Sequence, residues 1–388
     1  MHVLVVPSWY PTTEAPLRGI YFAEQARILH DHGLKVGVVY PEQQSLRRLS
    51  VEALREKHGQ TEWTTEHGIP TLRRHGWNVW WRFPPGMRLR VHQAVRLAHR
   101  YVDRHGIPDV IHAHSARWAG AAATQMRNAL GVPYVLTEHF SGFQRDDIFP
   151  WRWPLVETGF RDADGIAAVS SVLKDTIVEH ELAAPDDVAV HPNPVRTSLF
   201  TLPPTERPAP SPFRLVTVAG LNARKNIDGL LDAFAQAFRG ESAVLTIVGD
   251  GPRRGALEEQ TRRLGLASQV DFRGQLDRSE VREALWEAHA FVLSSRYETF
   301  GVALVEAMAS GLPVVATRCG GPEDLVTEET GRLVPTEDPA ALATALRTMR
   351  EQWASYDPNR IRDSVLDQYG PEPFVRRMRS FYRQARAP

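Results

Sequence analysis

Two glutamates, Glu298 and Glu306, stand eight residues apart in the run from Ser294 to Gly321. Apolar Phe291 to Leu293 reads as a buried strand ahead of them. The helix behind opens near Gly301 and closes at Ser310-Gly311, before a second buried strand at Val314 to Thr317. A helix N-terminus at the end of a parallel strand presents unpaired N–H groups and the positive end of the helix dipole, which suits a phosphate. Glu298 lies just before that helix. Glu306 lies on it, four residues after Val302 and so on the same side. Two acids flanking an anion seat can accept hydrogen bonds from hydroxyl-bearing groups on either side of a diphosphate. That is the chemistry of a nucleotide sugar.

A bare pair of acids at this spacing also occurs in an ordinary βαβ unit, one in a loop and one on a solvated helix face. The surrounding residues separate the two readings. Glu298, Phe300, Gly301, Glu306, Ala307, Met308, Ala309, Gly311, Pro313, Val314, Gly320 and Gly321 follow one order: an acid, Phe-Gly, an apolar pair, a second acid, Ala-Met-Ala, Gly-x-Pro-Val and a late glycine pair. This order resembles the donor-site signature of the family-four retaining glycosyltransferases, which have the GT-B fold. The resemblance implies an α/β protein of two Rossmann-like domains facing across a cleft, with a C-terminal helix returning to the first. It implies metal-independent transfer from a UDP- or GDP-linked sugar, with no other cofactor. Glu306 would bind the ribose hydroxyls and Glu298 the sugar hydroxyls. The N–H groups of Thr299, Phe300, Gly301, Val302 and Ala303, with Lys225, would stabilise the departing diphosphate.

The elements that must position these residues follow the same plan. Short apolar strands alternate with amphipathic helical stretches from end to end, as in doubly wound α/β architecture. Strands are expected at His2–Pro7, Lys35–Tyr40, Val110–His112, Tyr134–Thr137, Gly165–Ala168 and Val188–His191, with helices at Ile20–His32, Arg90–His105, Ala116–Leu130 and Ser171–His180. A Pro-rich break from Pro192 to Pro212 can continue neither element. The alternation then restarts at Arg214. We therefore expect an acceptor-side domain over 1–192, a linker over 193–212, a donor domain over 213–369 and a returning helix within 370–388.

Gly249-Asp250-Gly251-Pro252 sits between a strand and a helix, but the next glycine is Gly255. That gives GxGxxxG, with no acid at a ribose position, and argues against a dinucleotide site. The string resembles the family's Val-Gly-x-Gly-Pro loop, where Gly249, Gly251 and Pro252 approach the donor; a purely conformational role for the glycines stays open. Val218 to Asn226 resembles the family's Val-Gly-Arg-Leu…Lys segment. It keeps the lysine as Lys225, places Gly220 where the family has arginine, and offers Arg224 as a substitute phosphate partner. Gly19, in the first strand-to-helix loop, is read as a point of backbone approach, and Arg18 as a partner for an acidic acceptor.

His112-Ala113-His114 and Thr137-Glu138-His139 end two strands of the first half. His139 matches a family histidine at the reaction centre, so His139, Glu298 and Lys225 form the expected catalytic set. The His-x-His pair is read as pointing to opposite faces of its strand, with no acid or cysteine set completing a metal site, so no metal is expected.

Net formal charge is zero and pI is near 7.3, so no overall pull toward nucleic acid exists. One cysteine, Cys319, excludes an intrachain disulfide and fits a reducing compartment. The first strand follows the N-terminus without a charged segment and long apolar core, so we expect no signal peptide. No apolar run approaches the ~20 residues of a membrane span. Arg73 to Arg100 carries seven arginines and no Asp or Glu, beside Trp77, Trp80 and Trp81. A basic, tryptophan-bearing segment suits an anionic membrane surface as well as it suits packing on its own domain. The expected location is cytoplasmic, with peripheral attachment at the inner face of the membrane left open. Expected partners are the nucleotide sugar and a glycan, lipid-linked or small-molecule hydroxyl acceptor. Two rivals stand beside the transferase: a sugar-nucleotide 2-epimerase of the same fold, turning over donor alone, and a donor-binding scaffold without catalysis.

Overall fold

The computed structural model describes all residues except 14, 45–49, 52–54, 56, 57, 81, 146, 147, 208, 387 and 388, so Trp81 lies outside the described residues. The chain forms two compact units, Met1–Asn193 joined by the C-terminal stretch from Phe374, and Pro194–Pro373.

The first unit runs β1 (His2–Pro7), α1 (Ile20–Asp31), β2 (Lys35–Pro41), β3 (Thr61–Glu66), β4 (Ile69–Arg74), α2 (Pro84–His105) and β5 (Val110–His114). A π-helical turn, Ala116–Gly120, leads into α3 (Ala121–Leu130), followed by β6 (Tyr134–Glu138), α4 (Trp153–Arg161), β7 (Gly165–Ala168), α5 (Ser171–Glu179) and β8 (Val188–Val190). Its eight-stranded sheet has the order β3-β4-β2-β1-β5-β6-β7-β8, antiparallel only between β3 and β4. Strands covered on both faces read as continuous apolar runs, and all six residues of β1 are buried. The β3–β4 hairpin is absent from the sequence-based expectation, because Thr61–Glu66 is polar and half exposed. Its two-residue loop, His67-Gly68, has positive φ at both positions (51° and 83°), as a type I′ turn requires. Helix α2 starts at Pro84 rather than Arg90, its two leading prolines occupying the first turn, where no N–H is needed.

The second unit runs β9 (Phe213–Val218), α6 (Ile227–Phe238), β10 (Ala243–Val248), α7 (Arg254–Arg263), β11 (Val270–Gly274), α8 (Arg278–Glu287), β12 (Ala290–Leu293), α9 (Val302–Ala309), β13 (Val314–Thr317), β14 (Gly331–Val334), α10 (Pro339–Gln352) and α11 (Pro358–Tyr369). Its sheet is wholly parallel, with the order β11-β10-β9-β12-β13-β14. Ile227, Leu230, Leu231, Phe234 and Phe238 recur at helical spacing and bury one face of α6 among Phe213, Leu215 and Leu245.

The last helix, α12 (Pro371–Ala385), joins the first unit from Phe374 onward. Phe374, Val375, Met378, Phe381 and Tyr382 are buried along one stripe. At ~1.5–3 kcal/mol for each buried side chain, the stripe anchors the helix. The Tyr382 hydroxyl and His112 Nδ1 are 2.8 Å apart, and Arg379 donates to the His32 carbonyl at 2.8 Å. The fold is thus the α/β, doubly wound GT-B type with its returning C-terminal helix.

The arginine-rich stretch from Arg73 is not one surface. Arg73 is buried and donates to Glu66 at 2.7 Å, and Trp77 is buried, while Trp80 is 60% exposed. Among the described residues, no helix is long and apolar enough to cross a membrane.

Candidate functional site

In the second unit the chain leaves β9 in one direction through β10 and β11, and returns beside it as β12. The loops after β9 and β12 therefore diverge at the carboxyl ends of their strands, leaving the crevice where open α/β sheets bind ligands. Lys225 enters on the loop after β9, and Glu298 on the loop after β12. The two loops are tied together: Arg296 N–H donates to the Arg224 carbonyl at 2.8 Å, and Ser294 Oγ to the Lys225 carbonyl at 2.9 Å.

Glu298 is buried, and its backbone is clamped on both sides. Its N–H donates to the Cys319 carbonyl and its carbonyl accepts from Gly321 N–H, each at 2.8 Å. Lys225 Nζ donates to Glu298 Oε1, Ser295 Oγ donates to the same oxygen at 2.7 Å, and Arg224 Nη1 lies 3.9 Å from Oε2. Burial alone would raise the Glu298 carboxyl. The charges of Lys225 and Arg224, with the hydrogen bonds from Lys225 and Ser295, outweigh it and hold the carboxyl below the usual range. The Cys319 thiol is pushed up to about 12 by burial and by Glu298, so it stays protonated.

Helix α9 begins at Gly301, which caps it in the left-handed region with φ 101° and no side-chain cap. Leu304 and Val305 N–H both turn back to the Gly301 carbonyl. The N–H groups of Thr299 to Ala303 donate to no loop or cap carbonyl among the described residues, so the positive end of the helix stays available. Phe300 itself is a packing residue, set edge-on to Tyr369 at 5.7 Å. Glu306, one turn along, is buried, and its Oε1 accepts from Arg278 Nη1 at 2.5 Å. Arg278 also lies 4.8 Å over the Phe200 ring. Neither Arg278 nor Ser295 figured among the expected residues. A signal for Arg278 existed: Asp277 and Glu280 form a capping box, which places Arg278 at a helix start beyond a parallel strand.

The Gly249–Pro252 turn packs against the loop after β9. A Cβ on Gly249 would lie 1.9 Å from the Ala219 carbonyl oxygen, and on Gly251 2.5 Å from that of Leu221. Both glycines let two backbones meet. Gly249→Ala, at φ 130°, is expected to destabilise the protein by more than ~1 kcal/mol in urea unfolding. Gly255→Ala, in α7 with nothing within 4 Å, is expected to stabilise it by ~0.5–1 kcal/mol. Gly220 is exposed, its nearest neighbour to a built Cβ being Asn222 Nδ2 at 3.6 Å, so the family's arginine would fit there without a backbone clash. Arg224 is the cation that comes near Glu298 instead.

In the first unit, β5 and β6 end in a closely packed set of histidines. His112 and His114 have ring centroids 3.9 Å apart, and His114 Nδ1 is 3.1 Å from His139 Nε2. The expectation that His112 and His114 point to opposite faces is therefore corrected. Strand side chains alternate with period two, so residues i and i+2 share a face. His112 Nε2 meets Thr137 Oγ1 at 2.8 Å, and Phe22 contacts both His114 and His139 at 4.8 Å. His139 Nδ1 is buried with no hydrogen-bond partner. Glu138 accepts from the N–H groups of Ala116, His139 and Phe140, each at 2.7 Å, fixing the turn that carries His139. Gly19, capping α1 at φ 73°, allows the loop to lie on Trp9, whose carbonyl oxygen would be 2.7 Å from a Cβ.

Burial pushes His112, His114 and His139 well below the ordinary imidazole value, and holds His2 and His191 at about 4. An unfolded chain would protonate these rings near pH ~6.5 while the folded one keeps them neutral. Their contribution is thus full above that pH and decays as pH falls below it, by up to ~1.4 kcal/mol per unit for each ring. The melting temperature followed by circular dichroism is expected to drop steadily from pH 7 to pH 5; a flat profile would contradict buried neutral rings.

Two family models match the chain: "Glycosyltransferase Family 4" over residues 19–199 and "Glycosyl transferases group 1" over residues 212–352. A Bacillus subtilis glycosyltransferase named for teichuronic acid biosynthesis is 27% identical over 370 residues, covering 89% of this chain and 88% of its own length. Among solved structures, the sucrose-phosphate synthase of Thermosynechococcus elongatus superposes with a TM-score of 0.77 at 20% identity, covering 99% of each chain. The Anabaena protein HepE, in complex with UDP, gives 0.75 at 19% identity, covering 98% of this chain and 99% of its own. The signature after β12, the two sheets and the two matched models agree, and the chain belongs to the family-four, group 1 glycosyltransferases, GT-B enzymes that transfer a sugar from a nucleotide sugar.

Proposed function

We propose that this protein is a retaining, metal-independent glycosyltransferase that moves a sugar from a UDP-linked donor to a hydroxyl acceptor in the synthesis of a cell-surface polysaccharide or glycoconjugate. One observation carries the donor reading: two buried carboxylates, each with its own cation, flank the N-terminus of α9, which no side chain caps. The diphosphate lies against the N–H groups of Thr299 to Ala303. Glu306, oriented by Arg278, accepts from the ribose hydroxyls, and Glu298 from hydroxyls of the transferred sugar. Lys225 carries three donors, so it can serve Glu298 and a phosphate oxygen together. These donors sit in place before charge develops on the leaving group, which is the arrangement that lowers a barrier most. They supply the charge that a divalent cation would otherwise provide.

The acceptor hydroxyl attacks the anomeric carbon from the side the nucleoside diphosphate leaves, and the departing diphosphate takes its proton. His139, with its buried Nδ1 unpartnered, is assigned to the transferred sugar. The choice of UDP leans on the Anabaena relative, solved with UDP and with UDP-glucose.

Calorimetry with UDP, GDP, ADP and TDP and their sugar conjugates, run with excess EDTA, tests this. UDP and one UDP-sugar are expected to bind with EDTA present. Once an acceptor is in hand, NMR is expected to find the donor's anomeric configuration kept in the product. A folded protein that binds no nucleotide would refute the donor site, and turnover of donor alone would favour the epimerase.

A further inference from the structure

A cavity of about 900 Å³ opens in the first unit at the carboxyl ends of β1, β2 and β5, the switch point of its sheet. Arg18, Arg82, Arg90, Arg117 and Arg152 all line it. Among the described residues its one acid, Glu42, already lies 3.8 Å from Arg73 and 3.4 Å from His75. No carboxylate of the described residues comes within ion-pair distance of Arg18, Arg90 or Arg117.

Ring faces hold two of these cations. The Arg90 guanidinium lies 4.5 Å over Trp118, and that of Arg117 4.6 Å over Phe140. The Arg90 Nε is buried without a hydrogen-bond partner. Burial and the neighbouring Arg152, Arg90 and Arg18 push the Arg117 guanidinium down to about 10. One arginine stacked on a tryptophan is ordinary packing. Three that converge on one cavity with no ion-pairing carboxylate among the described residues, Arg18, Arg90 and Arg117, repel each other, and an anion with several oxygens relieves that repulsion while matching the planar guanidinium donors.

Resting on the transferase reading above, we propose that this cavity is the acceptor pocket and that the acceptor is a phosphate or diphosphate ester carrying a free hydroxyl. In the transfer, that hydroxyl oxygen bonds to the anomeric carbon as the bond from carbon to the donor diphosphate breaks. The proton leaves on the nucleoside diphosphate, and the ester's own phosphate is unchanged. Val79 and Phe83 line the same cavity and are 53% and 54% exposed, with Trp80 between them in sequence. Such an apolar rim suits an ester borne on a lipid, while a soluble sugar phosphate would use the arginines alone.

The test is calorimetry on the full chain with inorganic pyrophosphate in EDTA, with and without saturating UDP. Arg18→Ala, at an exposed side chain, and Arg117→Gln are each expected to weaken pyrophosphate binding at least tenfold while UDP binding stays within twofold. With UDP filling the α9 seat, one arginine-dependent pyrophosphate site is expected to remain. No pyrophosphate site left under saturating UDP, or a remaining site bound equally by the arginine variants, overturns the proposal and leaves the donor site standing. The reverse pattern, arginine-dependent pyrophosphate binding with no nucleotide binding, sinks the donor reading and keeps the anion pocket.

Glucose 1-phosphate in solution and a polyprenyl phosphate in phosphatidylcholine vesicles separate the two sources. A tenfold preference for vesicles, lost in Trp80→Ala/Phe83→Ala, supports the ester and assigns it to a lipid. Equal arginine-dependent binding supports it as a soluble ester. Vesicle binding that ignores the arginine substitutions overturns the assignment.

Discussion

Lys225→Ala is expected to lower kcat by ~10²–10³-fold, the usual cost of removing one preorganised donor from a developing negative charge. KM for the donor should move much less, because the charge on the leaving group is greatest in the transition state. Lys225→Arg should recover part of the loss, since it keeps the cation with a different donor geometry. The same substitution carries a second, separable effect. Lys225 and Glu298 form a largely buried pair, with side chains 18% and 8% exposed. Removing one member leaves the other's charge poorly compensated, at a cost of up to ~3–5 kcal/mol, reduced here because Arg224 and Ser295 remain beside Glu298.

The sign with pH follows from the depressed Glu298 carboxyl. A carboxylate whose folded value lies below its unfolded one stabilises the fold above the unfolded value of ~4.3, and the contribution is lost as pH falls through the folded value. The gap in melting temperature between wild type and Lys225→Ala should therefore be constant above pH ~5 and shrink below it. A loss of kcat with no change in stability at pH 7 would mean that the pair forms only when donor is bound.

Glu306→Ala is expected to weaken UDP binding by about 10²-fold, the order set by losing hydrogen bonds to a charged acceptor at ~1.5–3 kcal/mol each. Calorimetry on the variant measures this directly, and unchanged UDP affinity would end the ribose assignment. Arg278 makes the experiment sharper. It holds Glu306 through a 2.5 Å contact, so Arg278→Ala should weaken UDP binding indirectly, by freeing the carboxylate it orients. In the double variant the two losses should not add, since Arg278 then has no carboxylate to orient. Full additivity would mean that Arg278 touches the nucleotide itself.

How much of this was legible in the chain depends on distance along it. Glu298, Gly301 and Glu306 lie within nine consecutive residues of one strand–helix junction, and local rules of strand, cap and helix placed them correctly relative to one another. Lys225 was legible through the segment around it, although its partner lies 73 residues on. Arg278 was not, because its role comes from a neighbour 28 residues away that only the sheet order brings near. The β3–β4 hairpin escaped for another reason: a half-exposed edge strand rich in Thr and Glu carries no apolar run, and its sole marker was His67-Gly68. The histidines of β5 were misplaced by an error of period rather than for want of signal. Their spacing by two residues already put His112 and His114 on one face.

By itself the sequence determined the alternation of buried strands and amphipathic helices, the Pro-rich break, and the acid-flanked helix start. Each of these is a matter of periodicity, cap and turn chemistry within a few residues. Only the tertiary structure decided which charges meet. The sheet orders bring Lys225 to Glu298, Arg278 to Glu306 and His139 to His114, while the return of α12 brings Tyr382 to His112. They also gather Arg18, Arg90, Arg117 and Arg152 around one cavity from loops and helices far apart in the chain. The ionisation of a side chain depends on burial and on the charges within a few ångströms, and neither is a property of its neighbours in sequence.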